Sequence, residues 1–142
     1  MRALGYPPHI TLAKYDAIDS DLLARTVAEL AGIPRLRMTF DRLASFDAGS
    51  LILWASPAPH PGLAELHARL HAQIDPLACR PAYRPGRWTP HCTLALRIAP
   101  RHREEAARLL ASEFAAFALD FDILDCVTSP PIAVLAEHAL AA

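Results

Sequence analysis

The stretch Pro8-His9-Ile10-Thr11-Leu12 returns, far along the chain, as Pro90-His91-Cys92-Thr93-Leu94. Each copy is Pro-His-x-Thr-Leu, begins an apolar run, and follows a loop with proline and an aromatic residue, around Tyr6-Pro7 and Trp88-Thr89. Successive side chains of an extended strand point to opposite faces, so His and Thr two apart share one face and the apolar residues between and after them share the other. One such segment would carry little weight. Two of them predict a duplicated unit whose halves each supply one imidazole and one hydroxyl to a shared cleft.

Outward from these segments the chain reads as mixed helix and strand. His9 to Tyr15 alternates as a strand, and Asp19-Ser20-Asp21 caps a helix running to about Leu30 on Leu22, Leu23, Val27 and Leu30. Gly32 and Pro34 stop it. Arg35 to Phe46 and Leu51 to Ala55 read as strands joined by the turn Asp47-Ala48-Gly49-Ser50. After the Pro57–Gly62 punctuation, Leu63, Leu66, Leu70 and Ile74 recur at helical spacing. Pro76 to Thr89 is the longest irregular stretch, and a long loop in a small domain is more often functional than decorative. His91 to Ile98 is the second motif strand. Pro100 opens a third helix, about Arg101 to Phe117, on Ala106, Leu109, Leu110 and Phe114. Phe121 to Val127 and Ile132 to Ala136 close the chain as strands. This order predicts an α+β fold with antiparallel pairing and helices packed outside.

A chain of 142 residues is long enough for one domain with a real core. No run approaches the roughly 18 to 20 uncharged residues of a membrane span, and Met1-Arg2-Ala3-Leu4-Gly5 has no apolar leader segment. A formal net charge of −1 argues against a general duplex-DNA binder, while leaving room for a small anionic substrate held by local arginines. Cys79, Cys92 and Cys126 are odd in number and widely spaced, which reads as reduced thiols in a cytoplasmic protein.

Histidine and threonine at this spacing suit one chemistry. Hydrolysis of a strained phosphodiester needs a base for water, an acid for the leaving alkoxide, and donors for the nonbridging oxygens. Two imidazoles facing each other across a phosphate serve as base and acid, each contributing ~10²–10⁴-fold. Threonine hydroxyls donate to the phosphate oxygens. The scheme requires no metal and no cofactor.

The segments Pro-Pro-His9-Ile-Thr11-Leu and Thr-Pro-His91-Cys-Thr93-Leu resemble the motifs of the two-histidine (2H) phosphoesterase superfamily, which includes the bacterial 2′-5′ RNA ligase-like proteins. Weaker resemblance extends through Leu63 to Ile74 and the closing strands, covering most of the chain. It implies a bilobal, pseudo-twofold α+β fold with two antiparallel sheets lining a central cleft. It also implies metal-independent action on 2′,3′-cyclic phosphates or 2′-5′ linkages of RNA ends or nucleotides. On that resemblance His9 and His91 are the acid/base pair, with His91 as base and His9 as acid for ring opening, and Thr11 and Thr93 hold the phosphate. Family members carry a strand and a helix before the first motif. This chain reaches His9 directly, so either the first lobe holds fewer strands or the natural start lies upstream.

Further residues have two readings each. Arg97 lies in register with His91 and Thr93, and either neutralises the phosphate or sits in solvent at a strand end. Tyr15 holds the equivalent place on the first strand, as a base-stacking surface or as a core or rim tyrosine. Arg84, Arg87 and Trp88, with Tyr83, form a basic aromatic loop suited to an RNA end, or a solvated loop with Trp88 plugging the core. His67 and His71 are four apart on a helix, a metal-binding spacing without a third ligand, and are expected on a solvent-facing flank. His60, His102 and His138 receive no role. Cys92 turns away from the cleft as a core thiol. Two rivals remain: a non-catalytic RNA-end or nucleotide-binding module using the same cleft, and a metal-dependent hydrolase using His67 and His71. The expected state is a monomer without membrane partners.

Overall fold

Leu36, Met38 and Phe40 are buried while Arg37, Thr39 and Asp41 between them are exposed, the period-two pattern of a strand with one wet face. They open β1 (Leu36–Asp47), which pairs antiparallel with β2 (Leu51–Pro57) in a computed structural model that describes residues 6–47 and 49–142. What was expected of Met1–Gly5 and of Ala48 lies outside the described residues. The fold is α+β, with two antiparallel sheets, and the chain divides into two compact units.

The first unit takes the segment ending at Thr11 together with Met38–Pro59 and Pro90–Leu119. Its sheet runs β3-β2-β1-β4, where β3 is Cys92–Ile98 and β4 is Phe117–Phe121. The helix α3 (Arg103–Ala111) follows a 3₁₀ turn at Pro100–His102. The expected helix to Phe117 is therefore cut short. Leu109, counted in its apolar stripe, is exposed, and the Ser112 hydroxyl donates to the Leu109 carbonyl at 2.7 Å where the helix ends. Phe117 instead stacks on Phe40 at 5.2 Å and 12°. Burying a large aromatic pair outweighs helical spacing, because each ring removes far more apolar surface from water than one more helical hydrogen bond returns.

The second unit comprises Leu12–Arg37, His60–Thr89 and Asp120–Ala142. Its helix α1 (Ser20–Leu30) is capped by the Asp19 carboxylate, which accepts from the Leu22 N–H at 2.8 Å. α1 lies against β5 (Ile123–Thr128), β6 (Ala133–Ala139) and α2 (Pro61–Gln73). Val27 and Leu30 of α1, Leu63, Leu66 and Leu70 of α2, and Ile74, Cys126 and Leu140 supply the core. His60 caps α2: its Nδ1 accepts from the Leu63 N–H at 3.2 Å, with Pro61 at the first helical position. Gly62 permits the close approach of this turn to β1, since a Cβ there would meet Leu36 Cδ2 at 3.1 Å and the His60 ring at 3.0 Å.

Two further expectations are corrected. His9 to Tyr15 forms no continuous strand; it makes isolated bridges at Ile10 with Cys92 and at Tyr15 with Cys79. Pro7 and Pro8 lack the N–H that would extend the ladder, and the partner segment changes between the two bridges. His67 and His71 do not face solvent: each is only 6% exposed. The His67 ring lies flat on Trp88 at 3.9 Å and 4°, and its Nε2–H donates to the Tyr83 carbonyl at 2.8 Å. His71 packs edge-on against His67 at 4.4 Å, and both of its ring nitrogens are buried without a hydrogen-bond partner. An imidazole is large and flat enough to pack like an apolar residue once kept neutral.

Burial lowers both imidazoles from the ordinary 6.5, and nearby backbone groups of Tyr83 (for both) and Leu12 (for His71) offset only part of that. Above 6.5 both rings are neutral in folded and unfolded chains, so stability is complete there. As the pH falls below 6.5 the unfolded chain takes up protons that the folded chain refuses, and stability is lost. Thermal unfolding followed by circular dichroism should show the midpoint dropping between about pH 7 and about pH 5. The double variant His67→Leu/His71→Leu should flatten that dependence, and an equally steep profile in it would contradict the assignment.

Candidate active site

The bridge between Ile10 and Cys92 sets the two motifs antiparallel and side by side. Residues one step on either side of a bridged pair face each other, so His9 lies opposite Thr93 and Thr11 opposite His91. Alternation puts all four on the face away from Ile10 and Cys92. The two histidines are then diagonal neighbours, a relation that sets backbones on the order of 7–8 Å apart in an antiparallel pair. All four residues are half-buried, within reach of water.

The sheet register extends this face. Trp54 pairs with Thr93, Ala44 with Trp54, Phe46 with Ile52, and Arg42 with Ser56, so Trp54, Phe46, Ser56 and Arg42 share the side of the four motif residues. The opposite side carries Phe40, Ala55, Leu53 and Cys92, all buried. Cys92 is the core thiol expected from alternation, its pKa raised by burial.

Each histidine has its own surroundings. His9 Nδ1 lies 3.0 Å from the Pro7 carbonyl, which can only accept, so Nδ1 carries the proton and donates it. That bond survives in both the neutral and the protonated ring, leaving Nε2 as the atom that exchanges protons without reorienting the imidazole. Tyr6 packs edge-on against the same ring at 4.9 Å. His91 sits against two aromatic rings, Phe46 at 5.3 Å and 82° and Trp54 at 5.5 Å and 63°. Neither Phe46 nor Trp54 was singled out from sequence. The available signal was their position: both flank the β1–β2 turn on the face that β3 continues.

The remaining candidates separate. Arg97 belongs to the same unit and is exposed, but it does not inherit its orientation from Thr93. The β2–β3 register slips between Trp54 and Leu53 and again before Leu51, which turns Ala95 to the core face, and Arg97 itself has φ +52°. Tyr15, Arg84, Arg87 and Trp88 belong to the second unit. Tyr15 has a buried hydroxyl without a partner, and burial, then the adjacent Cys79, push its pKa up to about 12. Arg84 ties its own loop together: Nε donates to the carbonyls of Cys79 at 2.9 Å and Pro76 at 3.0 Å, and Nη2 to that of Leu77 at 3.2 Å. Trp88 is stacked on His67, and Arg87 is exposed. Among the described residues no group of three or more His, Cys, Asp or Glu side chains is placed to hold a metal ion.

Comparisons agree with this architecture. The sequence model of the 2′-5′ RNA ligase superfamily matches residues 2–129. No curated protein sequence matches the chain. Among solved structures, Escherichia coli LigT complexed with 3′-AMP is similar at a TM-score of 0.58 and 19% identity, over 99% of this chain and 87% of that one. The same LigT complexed with NADP+ is similar at a TM-score of 0.53 and 19% identity, over 95% and 77%. A phosphoesterase crystal structure is similar at a TM-score of 0.57 and 18% identity, over 95% and 78%. At these identities the likeness is one of fold.

Arg84 provides a direct discrimination between scaffold and ligand. Arg84→Ala should lower stability in urea unfolding by roughly 1.5–3 kcal/mol, the scale of hydrogen bonds made by a charged group, with KM for a nucleotide substrate little changed. Unaltered stability with a raised KM would instead make it a substrate contact.

Proposed function

Because the chain belongs to the 2′-5′ RNA ligase superfamily, we propose that it is a phosphoesterase opening 2′,3′-cyclic phosphates or cleaving 2′-5′ linkages at RNA ends or on nucleotides. One observation supports the reading: the antiparallel Ile10–Cys92 bridge sets the two His-x-Thr segments side by side, and strand alternation on either side of it would turn both histidines and both threonines to one face. Two titratable rings with two hydroxyls supply more than binding requires.

In this reading the phosphate lies between the imidazoles. His91 takes a proton from water as its oxygen forms a bond to phosphorus. The bond from phosphorus to the ring alkoxide breaks, and His9 delivers a proton to that oxygen from Nε2, its Nδ1–H still held by Pro7. Thr11 and Thr93 donate hydrogen bonds to the nonbridging oxygens, where charge builds in the transition state. Arg97, exposed on the same unit with a left-handed backbone unusual for a non-glycine residue, is the proposed countercharge. Arg87 is the loop cation left exposed for a longer RNA strand, since Arg80 pairs with Asp16 and Arg84 with its own loop.

The proposed setting is the cytoplasm, acting as a monomer. Cys79, Cys92 and Cys126 are free and buried, which supports a reducing compartment. No helix among the described residues is long and apolar enough to cross a membrane.

His9→Ala and His91→Ala should each lower kcat on a 2′,3′-cyclic nucleotide by at least about 10²-fold while leaving the circular dichroism spectrum intact. Phosphorus NMR should show a phosphomonoester product from the wild type, at the same rate in EDTA. Near-normal rates in both single variants, or binding with no product, would end the proposal.

A further inference from the structure

Between Phe40 and Arg42 the strand β1 changes face. Phe40 pairs with Pro57 and Arg42 with Ser56, so two steps on β1 are matched by one on β2, and Asp41 is the extra residue. Strict alternation from the fully buried Phe40 would send Arg42 into the core. The bulge sends it to the opposite face, the one the motif residues share. Bulges beside active sites re-aim side chains in this way, and here what is re-aimed is a guanidinium.

The register places that group relative to the motifs. Continued one step past the Ala55–Cys92 pair, the β2–β3 ladder sets Ser56 across from His91. Arg42, Ser56, His91 and Thr11 then make one row across the sheet, all within the first unit. Neighbouring strands are about 4.8 Å apart, so the Arg42 backbone is about 10 Å from that of His91, on the side away from the first motif. Arg42 Nη2 donates to the Ser56 hydroxyl oxygen at 3.4 Å, which leans the guanidinium back over β2 toward β3. That bond is long and uses one of five donors. Ser56 is buried, whereas Arg42 is exposed. Among the described residues Arg42 makes no ion pair, even with the adjacent Asp41, while Arg37, Arg80 and Arg103 each hold an aspartate.

A cation with donors to spare, turned to the site face and set beyond β3 from the first motif, suits an anion other than the reacting phosphate. We propose that Arg42, leaning on Ser56, binds a second phosphate of the substrate, the phosphodiester on the 5′ side of the cyclic end. This rests on the reading of the site given above and deepens it. The substrate class becomes an oligonucleotide ending in a 2′,3′-cyclic phosphate, in preference to a single nucleoside cyclic phosphate. Chemistry allows only that direction, because a strand that ends in a cyclic phosphate has its next phosphate on the 5′ side. A guanidinium meets phosphate oxygens with two parallel N–H groups, a fit that an ammonium lacks. Arg97 remains the countercharge for the reacting phosphate.

The test compares a dinucleotide ending in a 2′,3′-cyclic phosphate, which carries the second phosphate, with a nucleoside 2′,3′-cyclic phosphate, which lacks it. The wild-type chain should favour the dinucleotide in kcat/KM, through a lower KM. Arg42→Gln keeps a donor for Ser56 and loses the charge. It should shrink that preference about ten-fold, and Arg42→Lys should retain part of it. A second arm requires no turnover: equilibrium binding of a dinucleotide 3′-phosphate and of a nucleoside 3′-phosphate. Arg42→Gln should narrow the affinity gap between them about ten-fold. It should also reduce the slope of log K against log salt for the dinucleotide by about 0.7, the loss of one single-strand phosphate contact. Equal losses on both ligands, an unchanged preference, or a wild type that does not distinguish them would overturn the proposal. A wild type that turns over neither substrate would instead overturn the functional reading, while the binding arm still decides the subsite.

Discussion

The antiparallel contact between Ile10 and Cys92 is a single bridge, with no ladder continuing from it, yet it settles which residues of the two motifs meet. Antiparallel pairing at that point puts His9 across from Thr93 and Thr11 across from His91. A slip of one residue would flip one motif to the core face and pair an imidazole with a methyl-bearing side chain. The slip is opposed by burial. Cys92 is almost wholly inaccessible and forms part of a layer with Ala55 and Phe40, and replacing that thiol by His91 or Thr93 would bury a polar group among apolar ones. The placement of the polar quartet is thus a consequence of what the other face of the sheet excludes.

Irregularities in the same sheet shape its other side chains. The shift between Phe40 and Arg42 on β1 lets the buried run Leu36, Met38, Phe40 give way to a stretch whose next face-sharing set is Arg42, Ala44 and Phe46. The slips along β3 turn Ala95 inward and leave Arg97 with a left-handed backbone. Each bulge converts a uniform period of two into a change of face, and the slip between Leu53 and Trp54 occurs beside Thr93. In the second unit the buried imidazoles of His67 and His71, the Trp88 ring and the Arg84 guanidinium occupy the positions that apolar side chains and ordinary turns would fill. The result is a loop from Pro76 to Thr89 held by stacking and by bonds to its own carbonyls.

Much of this was legible from residues alone. The two His-x-Thr segments, the α+β order, the Asp19 cap, the hairpin around residues 47–50 and the helix on Leu63, Leu66 and Leu70 all follow from local rules: alternation, capping and helical spacing act within a few residues. The errors fall where a side chain's environment is supplied by distant chain. His67 and His71 carry the spacing of a solvent flank or a metal pair, and only the arrival of Trp88 and Tyr83 buries them. Phe114 and Phe117 fit a helical stripe, but Phe40, far back in sequence, draws Phe117 into a strand. Arg84 reads as a basic loop residue until its guanidinium is found among the carbonyls of Pro76, Leu77 and Cys79.

By itself, then, the sequence determined the chemical alphabet: which residues can exchange protons, which can donate to a phosphate, and that each imidazole shares a face with a hydroxyl, since those depend on identity and on a two-residue period. Tertiary structure alone decided which faces meet, that Phe46 and Trp54 stand beside His91, and that Arg97 lies beyond a break in the alternation. Pairing register and burial are long-range quantities. They depend on where apolar surface can be removed from water across the whole chain, and no local window contains that information.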